Sequence, residues 1–361
     1  MKRILIGGLL LLITSIVSAQ NCAQTLRLAQ STYDQGRLHE LPGLMKGCLS
    51  DRNKDGFSKQ EKVTAYKLLT MAFLYLEEPE KADSSMLMLL KTEPFFEPNK
   101  EVDPEEFIGL YKTFRTKPIF TIGVKVGPNI SMANIMSNYY TAASSIGSSE
   151  YSTKIGLQLG LVVEKDLFQN SRGKILPRLT AAPEIIFTPR TFGIAVANAL
   201  TSDKGGNEAK FEALENQSWI DLNALVQYKL KKDRSRFNTY VTAGPAISYL
   251  LSATRQEVFT RKSGNVTSGP DIPIEASLNK LVFSVVVGVG AKLRLGSVYL
   301  TADVRYQYGL SNIVKTSART NYQNTFDYAN QFNDYSINNI AVMIGGSKPI
   351  FRPKKKLHKR K

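Results

Sequence analysis

The chain has 361 residues, 43% hydrophobic and 22% charged, the balance of a folded protein and not of a disordered one. Lys and Arg number 47 against 31 Asp and Glu, a net +16, and seven of the cations (Arg352, Lys354, Lys355, Lys356, Lys359, Arg360, Lys361) crowd the last ten residues; that is a basic tail on a mildly basic body, which gives no case for nucleic acid as a partner. Two His (His39, His358) and two Cys (Cys22, Cys48) exclude most histidine-dependent catalysis and the usual Cys/His zinc sites.

The N-terminus reads as an export signal. Lys2 and Arg3 precede the apolar run Ile4 to Ile13, and small residues end at Val17-Ser18-Ala19. This is the charged, apolar and small-x-small order of a signal peptide over 1–19. Asn21 before Cys22 does not suit a lipoprotein cysteine. In an oxidising compartment Cys22 and Cys48 fit a disulfide, and two buried thiols remain the alternative.

Residues 20–115 form the predicted α-helical domain. Ala23, Leu26, Ala29 and Tyr33 recur at helical spacing up to Gly36, and Leu41, Leu44, Met45 and Cys48 repeat the pattern. Ser58 and Glu61 have capping-box spacing ahead of Ala65, Leu68, Leu69, Ala72, Phe73 and Leu76. After Pro79 come Ala82, Met86, Leu89 and Leu90, and Pro104 opens a last helix through Phe107 and Tyr111. Short helices with short turns suggest stacked hairpins; "KADSSMLMLLKTEPFFEP" resembles the second helix of a tetratricopeptide-type unit, without a second copy at fixed period. Asp51-x-Asn53-x-Asp55-Gly56 matches half of a calcium loop. The twelfth position is Lys62 where a bidentate Glu is needed, so the segment reads as a helix-connecting turn, with no metal site.

From residue 118 the period changes to two. In WIDLNALVQYKL, Ile220, Leu222, Ala224, Val226, Tyr228 and Leu230 share one face, while Asp221, Asn223, Gln227 and Lys229 share the other. Val298 to Tyr308 repeats this, with Asp303 and Arg305 on the polar face. The pattern predicts eight strands at 119–130, 154–167, 175–187, 219–230, 237–251, 281–294, 298–310 and 336–346. Each is near the roughly nine to eleven residues of a tilted spanning strand. Links at 131–153, 188–218, 252–280 and 311–335 are long; those at 169–173, 231–236 and Gly296 are short. That alternation marks an up-and-down barrel of the outer-membrane kind.

Nine charges fall on the polar face: Lys125, Arg178, Glu184, Asp221, Lys229, Lys292, Arg294, Asp303 and Arg305. Unpaired, they could not lie in the dry core of a soluble barrel or sandwich. In a membrane barrel they line the lumen as a polar network while the apolar face meets lipid. Phe168, Phe187, Trp219, Tyr249, Tyr299, Tyr335 and Phe351, near strand ends, suit interfacial girdles.

Three stretches resemble the eight-stranded barrels of Bacteroidota grouped as PorT-like or "outer membrane protein beta-barrel domain" proteins: FTIGVKVGPNIS, YVTAGPAISYLL and DVRYQYGLSNI, within about 117–351. The resemblance implies a transmembrane eight-stranded barrel in the outer membrane of a Gram-negative bacterium; one branch of that family serves a secretion system. With long loops outward, the helical domain and the basic tail, 352–361, are periplasmic. The expected fold class is α + β: an N-terminal α-helical hairpin domain, then an eight-stranded antiparallel up-and-down transmembrane β-barrel. A lumen this narrow admits side chains only, and the barrel has no His or Cys. A Glu184–Asp221 carboxylate pair is the remaining enzymatic candidate, against an ion-pair network with Arg178, Lys229 and Arg305. The expectation is a non-enzymatic, cofactor-free anchor in contact with outer-membrane lipid, whose helical domain binds a protein partner in the periplasm or membrane. The alternative is a surface protein that binds an external ligand through its long loops. The sequence leaves the oligomeric state open.

Overall fold

The computed structural model describes residues 22–50, 56–137, 149–167, 178–201, 207–230, 236–261, 263–319 and 333–356. The expected leader over 1–19 and the acidic positions of the 51–56 turn lie outside the described residues. The chain divides into two compact units, Met1–Ile119 with Phe351–Lys361, and Phe120–Ile350.

The first unit is helical: α1 (22–34), α2 (Leu41–Leu49), α3 (Lys59–Tyr75), α4 (Pro79–Thr92) and α5 (Glu105–Thr113). Sequence chemistry sets the boundaries. Gly36 takes φ 76° after α1, where a residue with a Cβ is strained. Ser58 starts α3 with a complete capping box: its N–H donates to Glu61 at 2.8 Å and its hydroxyl accepts the Glu61 N–H at 3.4 Å. Pro79 opens α4, where its missing N–H costs no helical bond. One apolar cluster joins Ala29, Leu41, Met45, Leu68, Ala72 and Phe73; a second joins Met86, Leu89, Leu90, Phe107 and Tyr111. Cys22 and Cys48 are joined in a disulfide, Cα atoms 5.7 Å apart, tying α1 to α2.

The C-terminal segment differs from the expected separate tail. Residues 351–356 belong to the helical unit, with Phe114 and Lys355 forming an antiparallel bridge and the Phe351 ring edge-on to Phe95 at 4.9 Å. This pairing is remote in sequence, so a basic run read alone gives no sign of it.

The second unit is a ring of antiparallel strands. They are β1 (Phe120–Ser137), β2 (Ser149–Thr153), β3 (Ile155–Asp166), β4 (Leu179–Thr201), β5 (Asn207–Lys229), β6 (Phe237–Arg261), β7 (Val266–Pro273), β8 (Leu281–Leu295), β9 (Val298–Gly309) and β10 (Asp334–Ile350). The ladder runs β1–β3–β4–β5–β6–β8–β9–β10 and closes where β10 pairs with β1, Phe120 opposite Ile350. Short β2 and β7 attach to β4 and β6. Closure leaves no open edge along the body of the ring.

At the short-turn end the expected bounds fall within four residues of the observed ones, the β4 start of 175 against Leu179 among the largest differences, but the other end is longer than expected. The segment assigned to the 188–218 loop continues as ladder, Phe192 opposite Glu215 and Val196 opposite Phe211. β1 runs on to Ser137 and β6 to Arg261.

Side chains alternate as period two demands. Ile122, Val124, Val126 and Ile130 on β1 are exposed on the outer wall, as are Leu157, Leu159 and Leu161 on β3 and Val285, Val287 and Val289 on β8. Their neighbours in sequence point inward. An apolar outside and an ionic inside are the reverse of the distribution that a soluble barrel has.

Candidate functional site: a filled lumen

The inward side chains form layers of matched charge. Nearest the short-turn end, Lys292 Nζ lies 2.6 Å from both Glu164 carboxylate oxygens and donates to Gln227 at 2.9 Å. Beside it Lys229 pairs with Asp166 at 2.6 Å, and Thr180 donates to the same carboxylate at 2.7 Å. Two cations meet two carboxylates.

The central layer repeats this balance. Lys125 Nζ sits 3.0 Å from Glu184 and 3.0 Å from Asp303. The Arg305 guanidinium grips Glu184 through two nitrogens, Nη2 at 2.9 Å, and meets Asp303 at 2.5 Å. Tyr240 donates to Asp303 at 3.0 Å. Both cations bridge the two carboxylates, Lys125 as a point charge and Arg305 through the several N–H donors of its planar fork.

Above it Arg190 pairs with Asp221 at 2.7 Å and lies over the Trp219 ring, 5.1 Å from its centroid, while Thr188 donates to Asp221 at 2.8 Å. Asn129 and Ser131 both donate to Asn339. Next, Arg255 is ion-paired with Glu215, which also accepts from Gln217 and from the Tyr335 hydroxyl at 3.0 Å. An apolar cluster caps this end: Phe192, Ile194, Ile274, Leu278, Ile313, Val314 and Ile337. A cavity of about 10 Å³ beside Arg190, Ser248, Ser284 and Gln307 is the size of one water.

Of the nine charges assigned to the lumen by pattern, Lys125, Glu184, Asp221, Lys292, Asp303 and Arg305 are buried there and Lys229 is largely so. Arg178 and Arg294 stand at the short-turn rim, half-exposed; Arg178 donates to the Leu230 carbonyl. The proposed pairings are corrected. Asp221 takes Arg190, not Arg178 or Lys229, and Glu184 takes Lys125 with Arg305, so Glu184 and Asp221 form no carboxylate pair.

Pattern reading missed Glu164, Asp166, Arg190, Glu215 and Arg255. Parity alone would have found four, Asp166 following Glu164 on the same face of β3. Arg190 shares the parity of Glu184, Glu215 that of Asp221, and Glu164 that of inward Val162.

The lumen is not wholly polar. Val162, Ala182, Leu225, Ala246 and Val286 form an inward apolar patch. The aromatic girdle also needs correction. Phe187 and Tyr249 are exposed on the outer wall as expected and Tyr299 is half-exposed, but Trp219 and Tyr335 are fully buried inside. Trp219 donates its indole N–H to Gln217 at 2.9 Å, so its polar edge is satisfied inside the ring. Phe351 belongs to the helical unit, and Phe168 lies outside the described residues.

Among solved structures, the chain is similar to Neisserial surface protein A (11% identity, covering 64% of this chain and 97% of that one, TM-score 0.25). It is also similar to outer membrane protein OprG from Pseudomonas aeruginosa (12%, 65% and 98%, TM-score 0.30) and to outer membrane protein W of E. coli (13%, 65% and 98%, TM-score 0.27). Scores this low carry nothing about function. Curated proteins give no match. The family model described as "Outer membrane protein beta-barrel domain" matches residues 119–315, more than half of the chain and every strand of the ring before β10. With its closed ladder and its apolar outer wall, the chain belongs to the outer membrane protein beta-barrel domain family.

Proposed function

We propose that this outer-membrane barrel acts as an anchor, and that its helical unit, on the periplasmic side, binds another envelope protein as a scaffold or secretion-accessory part. The barrel spans the membrane with eight strands. Both its termini emerge at the short-turn end, which faces the periplasm because the long connections belong outside.

The observation that carries this reading is the filled lumen. Lys125, Arg305, Glu184 and Asp303 neutralise one another across its waist, and an apolar cluster covers one end. A lumen so occupied has no path for a solute. Among the described residues, the carboxylates at its waist, Glu184 and Asp303, are both held in ion pairs. What remains is a stiff membrane peg and the unit attached to it. The helical unit carries exposed apolar side chains (Leu28 on α1, Tyr75 on α3, Met88 on α4 and Val102 before α5), which suit a protein-binding surface.

Photocrosslinking in intact host cells tests this. Probes at Leu28, Tyr75 and Val102 are expected to trap one envelope protein reproducibly, while probes at Glu212 and Asn216 trap none. The reverse result refutes the scaffold.

A second reading has its own support. β4, β5 and β6 extend with β2 and β7 into a sheet beyond the apolar belt, and its outer side carries Thr191, Glu212, Asn216, Thr254 and Gln256. A surface raised this far from the membrane suits an external ligand. The same crosslinking separates the two readings.

A further inference from the structure

Two six-residue segments, 112–117 (KTFRTK) and 351–356 (FRPKKK), hold seven cations and no carboxylate. Both belong to the helical unit, and the backbone zips them together. The Arg115 N–H donates to the Lys354 carbonyl at 2.9 Å and the Lys356 N–H to the Thr113 carbonyl at 2.8 Å, flanking the Phe114–Lys355 bridge. The Arg115 guanidinium donates twice to the Arg352 carbonyl, at 3.2 and 2.8 Å. Lys356 Nζ donates to the Lys112 carbonyl, Lys355 is ion-paired with Asp83, and Phe351 rests on Phe95. Five cations of this ribbon are exposed, and of these Lys355 and Lys356 have the partners just named, while Lys112, Arg352 and Lys354 turn to solvent.

The ribbon has a fixed place along the chain. Lys117 precedes Phe120 by three residues, Arg352 follows Ile350 by two, and Phe120 and Ile350 are ladder partners at the end of the barrel. At about 3.3–3.6 Å per residue, the chain cannot carry Arg352 or Lys354 more than roughly 15 Å from that end. For a barrel in a bilayer, that keeps them within the headgroup layer, about 5–8 Å thick on each side, or within about a Debye length of it. A basic cluster there is attracted by anionic lipid, and the attraction fades within a Debye length. Backbone pairing also removes most of the ordering entropy that a loose basic tail would lose on binding.

We propose that this ribbon is a binding site for the phosphates of anionic phospholipid headgroups in the leaflet where the barrel termini emerge. Lys112, Arg352 and Lys354 make the contacts, and Arg115 positions the strand that carries two of them. The inference rests on the membrane-barrel reading and adds to it a lipid class and a site.

The test uses the full chain in nanodiscs made from equal parts phosphatidylcholine and phosphatidylglycerol. Native mass spectrometry then counts the lipids retained after mild detergent release. Retained lipid is expected to be mainly phosphatidylglycerol. The preference should fall by about fivefold per cation removed in the series Arg352→Gln, Arg352→Gln with Lys354→Gln, and both with Lys112→Gln. These side chains are exposed, so the heat-modifiable gel mobility of the barrel should not change. Retention in the bulk ratio overturns the proposal, as does an undiminished preference in the triple variant. So does removal of the preference by millimolar inorganic phosphate at constant ionic strength, which would make the ribbon a site for free phosphate. A chain that inserts with normal gel mobility but shows no preference refutes the lipid site alone; one that fails to insert refutes the barrel reading and the lipid site with it.

Discussion

Glu184→Gln removes one charge from the central layer and leaves its shape. Glu184 is 3% exposed and holds Lys125 at 3.0 Å and two nitrogens of Arg305. After the change Lys125 and Arg305 share Asp303 alone, and the layer carries a buried net charge of +1. Breaking a buried pair from one side costs about 3–5 kcal/mol. The lower end applies here, because Asp303 keeps both cations at 3.0 and 2.5 Å and the new amide oxygen still accepts. The double variant Glu184→Gln with Lys125→Met restores neutrality, leaving Arg305 with Asp303, and should recover about half of the loss. Unfolding in urea from lipid vesicles, followed by the heat-modifiable gel band, measures all three chains. Arg178→Gln, a rim change, serves as reference and should cost under about 1 kcal/mol. If Glu184→Gln stays within about 0.5 kcal/mol of the parent, or the double variant is no more stable than the single, the waist is hydrated and the filled-lumen reasoning fails.

Gly127 and Gly244 each precede a proline, and a Cβ on them would fall 1.9 Å from the Val342 carbonyl oxygen and 2.2 Å from that of Ala224. Alanine at either is expected to cost about 3 kcal/mol or more and to weaken the folded gel band, whereas Gly346→Ala, with open space around it, should be silent. Cys22→Ser with Cys48→Ser opens a loop with a sequence separation of 26; loop entropy puts the loss near 3.5 kcal/mol, seen as faster trypsin cleavage within 22–115 with the barrel band unchanged. Burial, with Tyr75 beside it, pushes the Tyr33 hydroxyl from 10.0 up to about 12. The folded unit thus holds that proton more tightly than the unfolded chain does, so this contribution is complete below about pH 10 and is lost as pH rises toward 12. The ultraviolet difference titration of the protein against Tyr33→Phe should show one phenol ionising near 12; ionisation at 10 would contradict the packing of α1.

The barrel was legible in the sequence where one solvent faces each side of a strand. In β9 and in the short-turn half of β5, Ile220 to Lys229, the outward residues are apolar and the inward ones, Leu225 and Tyr299 apart, polar, so parity sorts them. It became illegible at irregularities. Register shifts between Ser218 and Trp219 as β5 meets β6. Inward positions on β6 then change from even (Ala246, Ser248, Leu250) to odd (Ala253, Arg255, Glu257). No local pattern announces that change, so Arg255 could not be assigned to the lumen by counting. The C-terminal ribbon was hidden for another reason. Arg115 and Arg352 are 237 residues apart, and nothing in a run of lysines specifies a distant backbone partner. In the helical unit local chemistry decides the boundaries, and the capping box at Ser58 and the breaks near Gly36 and Pro79 were readable from spacing alone.

The change of pattern up the barrel wall itself carries information. Along β5 the outward side chains are Val226, Ala224, Leu222 and Ile220, then Ser218, Asn216, Leu214 and Glu212. The inward ones run Gln227, Asn223 and Asp221, with Leu225 among them, and then Trp219, Gln217, Glu215 and Ala213. On β4 the inward Glu184 and Arg190 give way to Phe192 and Ile194, while Ile185 and Phe187 outside give way to Thr191 and Gly193. The strand continues, but the solvent outside it has changed. Below the crossover the outer wall is apolar because lipid is there, and the inside must satisfy its own charges. Above it the outer wall turns polar because water is there, and the inside can close like an ordinary protein core. Propensity rules that expect one polarity per face therefore stop at the crossover, near Trp219 and Tyr249, and read the upper strands as loop. The same crossover explains why the lumen is sealed at this end. An apolar cluster forms only where the wall around it is no longer obliged to turn its own apolar side outward.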